Sequence, residues 1–100
     1  MQRTAVAMNW DDLKIFLAIA QEGSARAAAN KLGIHHSTIT RRIETFESSQ
    51  QAHLFDRLST GYRLTASGQA LLQSAIRIEE EVNSIERNIL GQDAALKGDI

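Results

Sequence analysis

The chain has 100 residues, 43% of them hydrophobic, and a formal charge of −1 at pH 7. This length suits one small domain with a modest core. The lack of cysteine excludes disulfides and thiol chemistry, and no apolar run reaches the roughly 18 residues of a membrane span. Residues 24–65 carry six basic and three acidic side chains, whereas residues 66–100 carry three basic and six acidic ones. A basic middle can bind a polyanion although the total charge is slightly negative.

Two helices are predicted first. Asn9 is a favourable N-cap before WDDLKIFLAIAQE, whose apolar residues recur at helical spacing, and Gly23 is placed to end this helix. Ser24 then caps a short helix, ARAAANKL, whose four alanines allow another helix to pack closely. Gly33 ends it, and we expect Ile34 to turn inward.

The stretch GIHHSTITRRIETFE, residues 33–47, contains a third helix. Ile39, Ile43 and Phe46 are spaced four and three residues apart and define its core face. The opposite face carries four polar residues: Ser37, Arg41, Glu44 and Ser48. Because a solvated helix face more often carries long Glu and Lys side chains, this short and partly basic face favours a contact surface.

Two short strands joined by a turn at Ser59-Thr60-Gly61 are predicted in AHLFDRLSTGYRLTASG, residues 52–68. Thr65 is a plausible N-cap for a long helix from about Ala66 to Leu90. Apolar residues in that helix step by four and three, as in a heptad seam: Leu71, Ala75, Ile78, Val82, Ile85 and Ile89. An isolated helix with such a seam needs a partner, and the simplest partner is a second copy of the chain.

Ala29, Gly33 and Ile39 match positions 1, 5 and 11 of a helix-turn-helix. A small residue lets the helices cross closely, a glycine takes the positive φ of the turn, and a β-branched residue wedges the helices together. The preceding helix and following hairpin extend the pattern. It predicts a mainly α fold with a small β-hairpin wing, namely a winged helix-turn-helix followed by a long dimerisation helix.

Four segments in order, LKIFLAIAQEGSARAAANKLGI, STITRRIETFE, LFDRL and RLTASGQALL, resemble the N-terminal DNA-binding domain of LysR-type transcriptional regulators. The resemblance runs from about residue 9 to residue 88. It implies a disordered or extended leader over 1–8, a winged helix-turn-helix DNA-binding domain over 9–65, and a linker and dimerisation helix over 66–90. Residues 91–100 would be a hinge leading to an effector-binding domain that this chain does not contain.

The resemblance also implies roles for individual residues. The third helix, about 35–49, would enter the major groove of DNA, with His36, Ser37 and Arg41 at positions that reach base edges. Six further residues would lie near phosphates: Ser24, Thr38, Thr40, Arg42, Arg57 and Arg63. The long helix would pair with that of a second subunit through the seam residues named above.

The implied partners are double-stranded DNA with an interrupted palindromic operator and a second copy of the chain, with a tetramer as the alternative assembly of the full-length protein. A small-molecule effector would act only through the absent domain. We expect no cofactor, no metal, no catalytic residues, no membrane association and a cytoplasmic, nucleoid-associated location.

The chain departs from the family pattern at the start and end of the third helix. His35-His36 stands where Ser-Gln is usual, Ser37 where Pro is frequent, and Gln50-Gln51 where Leu-Gly is usual. Histidine is a weak N-cap by type, so we expect the start of the helix to differ. The wing tip lacks a basic residue, a place that Arg63 would take, and Ala25 replaces a larger apolar residue.

Other interpretations of the same residues stay open to different degrees. Metal binding by His35 and His36 is disfavoured because adjacent helical residues diverge by about 100°. Catalysis is disfavoured because the sequence offers no nucleophile, base and orienting group that could converge in one site. Arg57 has a structural alternative, an ion pair with Glu47 or Asp56. Part of the seam, at Leu71 and Leu72, has ordinary packing as its alternative. For the whole chain, the competing function is a winged-helix protein-interaction module without specific DNA binding.

Overall fold

Four α-helices and one β-hairpin make up the part of the chain that the computed structural model describes, residues 8–91. The elements are α1 (Trp10–Glu22), α2 (Ala25–Leu32), α3 (His36–Gln50), β1 (Phe55–Leu58), β2 (Gly61–Leu64) and α4 (Ala66–Ile85), with a π-helical turn (Glu86–Leu90) after α4. The order and type of these elements confirm the predicted winged helix-turn-helix with a long last helix. Residues 1–7 and 92–100, which hold most of the predicted leader and hinge, lie outside the described residues.

Local capping explains where three of the helices begin and where two end. Asn9, Ser24 and Thr65 each accept a hydrogen bond from the backbone N–H three residues further on, at 2.9, 3.1 and 3.0 Å. Each bond satisfies an N–H that has no partner within its helix. Gly23 and Gly33 follow α1 and α2 with φ of 88° and 71°, a conformation that costs glycine little. All five predicted caps are therefore confirmed.

The core lies where α1 crosses α2, α3 and the hairpin. Ile39, Ile43 and Phe46 are buried, as their spacing predicted. The ring of Phe16 in α1 lies 5.3 Å from that of Phe55 in β1, which connects the helices to the hairpin. Such aromatic pairs stabilise a fold beyond the area that they bury.

The inward orientation predicted for Ile34 is wrong, because its side chain is 38% exposed. The backbone N–H groups of both Gly33 and Ile34 donate to the carbonyl oxygen of Ala29, at 2.8 and 3.1 Å. This pair of hydrogen bonds closes α2 in a tight turn that leaves Ile34 at the surface.

The wing is an antiparallel pair of strands in which Phe55 faces Leu64 and Leu58 faces Gly61. Gly61 thus belongs to the ladder, and the turn has two residues rather than the predicted three. The backbone N–H of Tyr62 donates to the carbonyl oxygen of Gly23 at 3.0 Å. A Cβ on Gly61 would lie 2.5 Å from the same oxygen, and its φ is 138°, so only glycine fits this approach.

The first turn of α4 is anchored on the chain segment that leads into β1. The Thr65 hydroxyl donates to the carbonyl oxygen of His53 at 2.6 Å, and the Thr65 N–H donates to that of Leu54 at 3.0 Å. Gly68 is buried against the same segment, and a Cβ there would overlap the Leu54 carbonyl oxygen. The absence of a side chain at Gly68 therefore lets the long helix lie directly on the winged domain.

Candidate nucleic-acid interface

Helix α3 begins with an unusual cap made by a histidine. His35 Nδ1 accepts a hydrogen bond from the Ser37 backbone N–H at 3.2 Å and lies 2.8 Å from the Ser37 hydroxyl oxygen. The His35 ring is stacked on that of His36, with centroids 4.9 Å apart. The imidazole thus does what a Ser or Asp oxygen does at other helix starts. The helix consequently spans His36–Gln50, and each end lies within one residue of the predicted range of about 35–49.

The outward face of α3 is exposed where the sequence predicted contacts with bases. Ser37 and Arg41 are exposed and His36 is half-buried, all within the first two turns. Among the described residues, Arg41 has no ion-pair partner, unlike Arg42 and Arg57. Its exposed guanidinium keeps its donors available for an acceptor outside the chain.

The hydroxyl groups assigned to phosphates differ in what they can offer. Ser24 uses an oxygen lone pair to cap α2 and keeps its O–H proton to donate. The Thr40 hydroxyl donates a hydrogen bond to the His36 carbonyl oxygen at 3.2 Å, so it is less suited to donate to a phosphate. Thr38 is half-buried at the rim of the face.

Arg42 is held by an ion pair inside the domain. Its Nη2 lies 3.1 Å from Asp12 Oδ1, with the two side chains 36% and 25% exposed. This pair joins α3 to the first turn of α1, a contact that the sequence analysis missed. A phosphate at Arg42 would therefore compete with Asp12 for the guanidinium.

Arg57, at the base of the wing, lies in a network of acceptors. Its guanidinium pairs with Glu44, is 3.6 Å from Glu47 Oε1, and sits over the Tyr62 ring at 5.3 Å. Burial is the largest single influence and acts to lower the pKa of Arg57, but the hydrogen bond to Glu44 and the charges of Tyr62, Glu44 and Glu47 together outweigh it, so the pKa is raised. Glu47 Oε2 also accepts from the backbone N–H groups of Leu54 and Phe55, at 2.8 and 3.1 Å. Arg57 therefore braces α3 against the wing.

The structural alternative for Arg57 was an ion pair with Glu47 or Asp56. The contact with Glu47 is present, whereas Asp56 pairs with His53 at 3.0 Å and with Arg63 at 3.6 Å. The hydrogen bond from His53 lowers the pKa of the Asp56 carboxyl. Arg63 remains 67% exposed on the wing, so an exchange of Asp56 for an external anion would cost little.

The seam on α4 divides into two parts. Ala75 is fully buried in the core of its own domain, and Leu71 is half-buried against that core. Ile78, Ile85 and Ile89 are 40%, 50% and 58% exposed. An open, shallow surface begins at this boundary and is formed by Ser74, Arg77, Ile78, Glu81, Val82 and Ile85. Only the second part is free to meet a partner in this structure.

Residues 8–91 lack the features of two other kinds of site. In that range, no three acidic or histidine side chains come together where they could hold a metal ion. Nor is any helix there both long and apolar enough to cross a bilayer.

The fold and the exposed face of α3 define a winged helix-turn-helix protein with a linker helix. The model of the family described as "Bacterial regulatory helix-turn-helix protein, lysR family" matches residues 10–69. The chain therefore belongs to the LysR family, a family of transcriptional regulators and not of enzymes.

Curated relatives and solved structures agree with this assignment. The chain is 38% identical over 81 residues to the HTH-type transcriptional regulator YofA of Bacillus subtilis (strain 168), and 38% identical over 93 residues to ClcR of Pseudomonas putida. These matches cover 81% and 93% of this chain but only 28% and 31% of the relatives. The chain thus spans less than a third of the length of either protein.

Among solved structures, that of the CbnR_DBD-DNA complex matches with a TM-score of 0.75 and 34% identity, over 88% of this chain and 99% of that one. The oxidized form of Corynebacterium glutamicum OxyR matches with a TM-score of 0.83 over 93% of this chain and 28% of that one. Its identity of 22% supports the fold alone.

Proposed function

We propose that the chain is the DNA-reading part of a LysR-type transcriptional regulator, with α3 in the major groove. The observation that carries the proposal is the exposed, polar outer face of α3, on which Arg41 is unpaired among the described residues. Structures named as DNA complexes of the CbnR and BenM DNA-binding domains, 34% and 28% identical to this chain, support it. Acidic or bulky apolar residues on this face would instead have favoured a protein-interaction module.

The residues divide into readers and anchors. His36, Ser37 and Arg41 are proposed to contact base edges, which specify sequence, while phosphate contacts position the helix without specifying sequence. The anchors proposed are Ser24, Thr38, Thr40, Arg42, Arg57 and Arg63. Ser24 and Arg63 are the best placed of these, because their donors are free or weakly held. Arg57 is proposed to act chiefly by holding the wing against α3.

A second copy of the chain is proposed to pack along the exposed part of the seam on α4. Ile78, Val82, Ile85 and Ile89 follow one another at heptad spacing and leave apolar surface open to solvent. Leu71 and Ala75 would support this interface from inside each subunit. A dimer would place two copies of α3 about one helical turn of DNA apart, roughly 34 Å, and would favour an interrupted palindrome.

Further features of the whole regulator follow from the same proposal. An effector would bind a domain beyond this chain, no cofactor is needed for reading DNA, and a tetramer is an open alternative to the dimer. A regulator of this kind works in the cytoplasm on the nucleoid.

Selection from random DNA duplexes at two salt concentrations tests the proposal. Enrichment of an interrupted palindrome, with salt-sensitive affinity, is the expected result. Replacing Arg41 by Ala should cost about 1–3 kcal/mol on the selected sequence and relax the preference at one base pair. Replacing Arg42 by Ala is the matched control, since it should weaken selected and random DNA alike. No binding even at low salt would refute the proposal and favour an interaction module.

A further inference from the structure

Carboxylates of the chain pair with the arginines that are proposed to contact phosphates. Arg42, Arg57 and Arg63 each form an ion pair with an aspartate or a glutamate. Arg41, which is proposed to contact a base, has no such partner within residues 8–91. A carboxylate and a phosphate offer a guanidinium the same kind of anionic acceptor. Each internal carboxylate therefore competes with DNA for its arginine.

The three pairs differ in how readily a phosphate could take the place of the carboxylate. Arg63 is 67% exposed and lies 3.6 Å from its partner, so that carboxylate restrains it little. Arg57 contacts two carboxylates and the Tyr62 ring, and it stays in place as the brace of the wing. Arg42 has one carboxylate partner, Asp12, in a direct hydrogen bond of 3.1 Å, and its side chain is 36% exposed. Only this third pair is both close and open to exchange.

The start of α1 holds the Asp12 carboxylate in position. The Asp12 backbone N–H donates to Asn9 Oδ1 at 2.9 Å, which fixes the first turn of the helix. The helix dipole favours a negative charge in this turn, and the Asp12 side chain is only 25% exposed. The carboxylate is thus placed by its own helix and remains a standing partner for the Arg42 guanidinium.

We infer that Asp12 limits the affinity of the domain for DNA by occupying Arg42, an inference that rests on the DNA-reading function proposed above. With Asp12 beside it, Arg42 presents an approaching phosphate with a neutral pair rather than a cation. A phosphate that reached the guanidinium would also come close to a like charge on the carboxylate. The restraint acts on every DNA sequence alike, because phosphate contacts carry no sequence information.

An orienting role for Asp12 makes the opposite prediction. A carboxylate that aimed the Arg42 guanidinium at a phosphate would strengthen binding, and its loss would weaken the complex. A purely structural ion pair would change the stability of the domain and leave its affinity for DNA unaltered. The sign of the change in affinity therefore separates the three roles.

The experiment measures binding of the whole 100-residue chain to a selected duplex and to a random one over a range of salt concentrations. Asp12→Asn removes the charge but keeps the shape and one acceptor oxygen. Arg42→Ala, alone and combined with Asp12→Asn, shows whether the effect passes through the arginine. Asp11→Asn is the matched control, since Asp11 lies in the same first turn, is exposed and has no ion-pair partner among the described residues.

The Asp12→Asn variant should bind both duplexes roughly 2- to 5-fold more tightly than the wild type. Its affinity should also fall more steeply with salt, by roughly 0.9 in the logarithmic slope, because one more phosphate is neutralised. The gain should vanish when Arg42 is replaced by Ala. The Asp11→Asn control should change affinity by less than about 1.5-fold, because solvent and salt screen an exposed charge.

Urea unfolding of the same variants examines the ion pair without DNA. The combined loss of stability from Asp12→Asn and Arg42→Ala should be smaller than the sum of the two single losses. Additive losses would mean that the pair does not form in solution, and this would overturn the inference. Unchanged or weaker DNA binding by Asp12→Asn, or an equal gain in the absence of Arg42, would also overturn it and leave the proposed function intact. A chain that bound no DNA even at low salt would overturn both.

Discussion

Replacing Gly68 by Ala should detach the start of α4 from the winged domain. The added Cβ would overlap the Leu54 carbonyl oxygen and lie 2.8 Å from Leu64 Cδ2 and 3.2 Å from the Leu54 carbonyl carbon. The first of these neighbours is backbone and cannot rotate away, so either α4 or the segment before β1 must move. Such a shift would stretch the two hydrogen bonds from Thr65 to the carbonyl oxygens of His53 and Leu54.

The magnitude follows from three contributions. Overpacking of a tight contact costs about 1–3 kcal/mol, and weakening two hydrogen bonds costs about 1 kcal/mol more. Ala is a better helix former than Gly by about 1 kcal/mol, which offsets part of the loss. The net destabilisation is about 1–3 kcal/mol, and for a domain of this size it lowers the melting temperature by roughly 5–20 °C.

Urea and thermal unfolding followed by circular dichroism measure this effect. Ser67→Ala is the matched control, because it changes an exposed residue in the same first turn of α4 without approaching Leu54. Its stability should remain within about 0.5 kcal/mol of the wild type. A Gly68→Ala variant as stable as the wild type, or more so, would refute the close approach on which the reasoning rests.

Three further outcomes are expected. Gln51 ends α3 with φ 53° and ψ 45°, so Gln51→Gly should raise the free energy of unfolding by about 0.5–1 kcal/mol, and a lower urea midpoint would contradict this. Glu at both Val82 and Ile85 should convert a dimer to a monomer in sedimentation equilibrium, because charges would enter an apolar interface; an unchanged mass would exclude this interface. The pKa of Asp56 is lowered from 3.8, so its ionised form contributes stability above that pH that is lost as pH falls through the folded-state pKa. Asp56→Asn should therefore be less stable than the wild type near neutral pH and equal to it in strong acid, and a difference that persists in acid would count against the contact with His53.

Local side-chain chemistry made much of the fold predictable. The caps at Asn9, Ser24 and Thr65 depend on residues three positions apart, so the sequence displays them directly. The buried face of α3 likewise follows from spacing alone, as Ile39 and Phe46 show. Ile34 could not be placed in this way, because its apolar character says nothing about where a tight turn directs the side chain.

The contacts that shape the candidate interface depend on tertiary geometry. Asp12 and Arg42 are 30 positions apart, and no local pattern joins them. An ion pair of Arg57 with Glu47 or Asp56 was the alternative to a phosphate contact, but its contact with Glu44 follows only from how the wing lies against α3. The cap by His35 could not be predicted from the sequence either, because a ring nitrogen there accepts the hydrogen bond that a small oxygen-bearing side chain usually accepts.

The three contacts of Glu47 limit which substitutions this position can tolerate during evolution. One carboxylate oxygen serves the backbone at the start of β1 and the other faces the Arg57 guanidinium. Glutamine, the nearest substitute in shape, has a single acceptor oxygen and would turn an amide N–H₂ toward one of these donors. A change usually regarded as mild would thus leave a donor unmet, and lineages that lose Glu47 should carry compensating changes at Arg57. Mutational tolerance at this position is therefore set by the wing as much as by the helix to which the residue belongs.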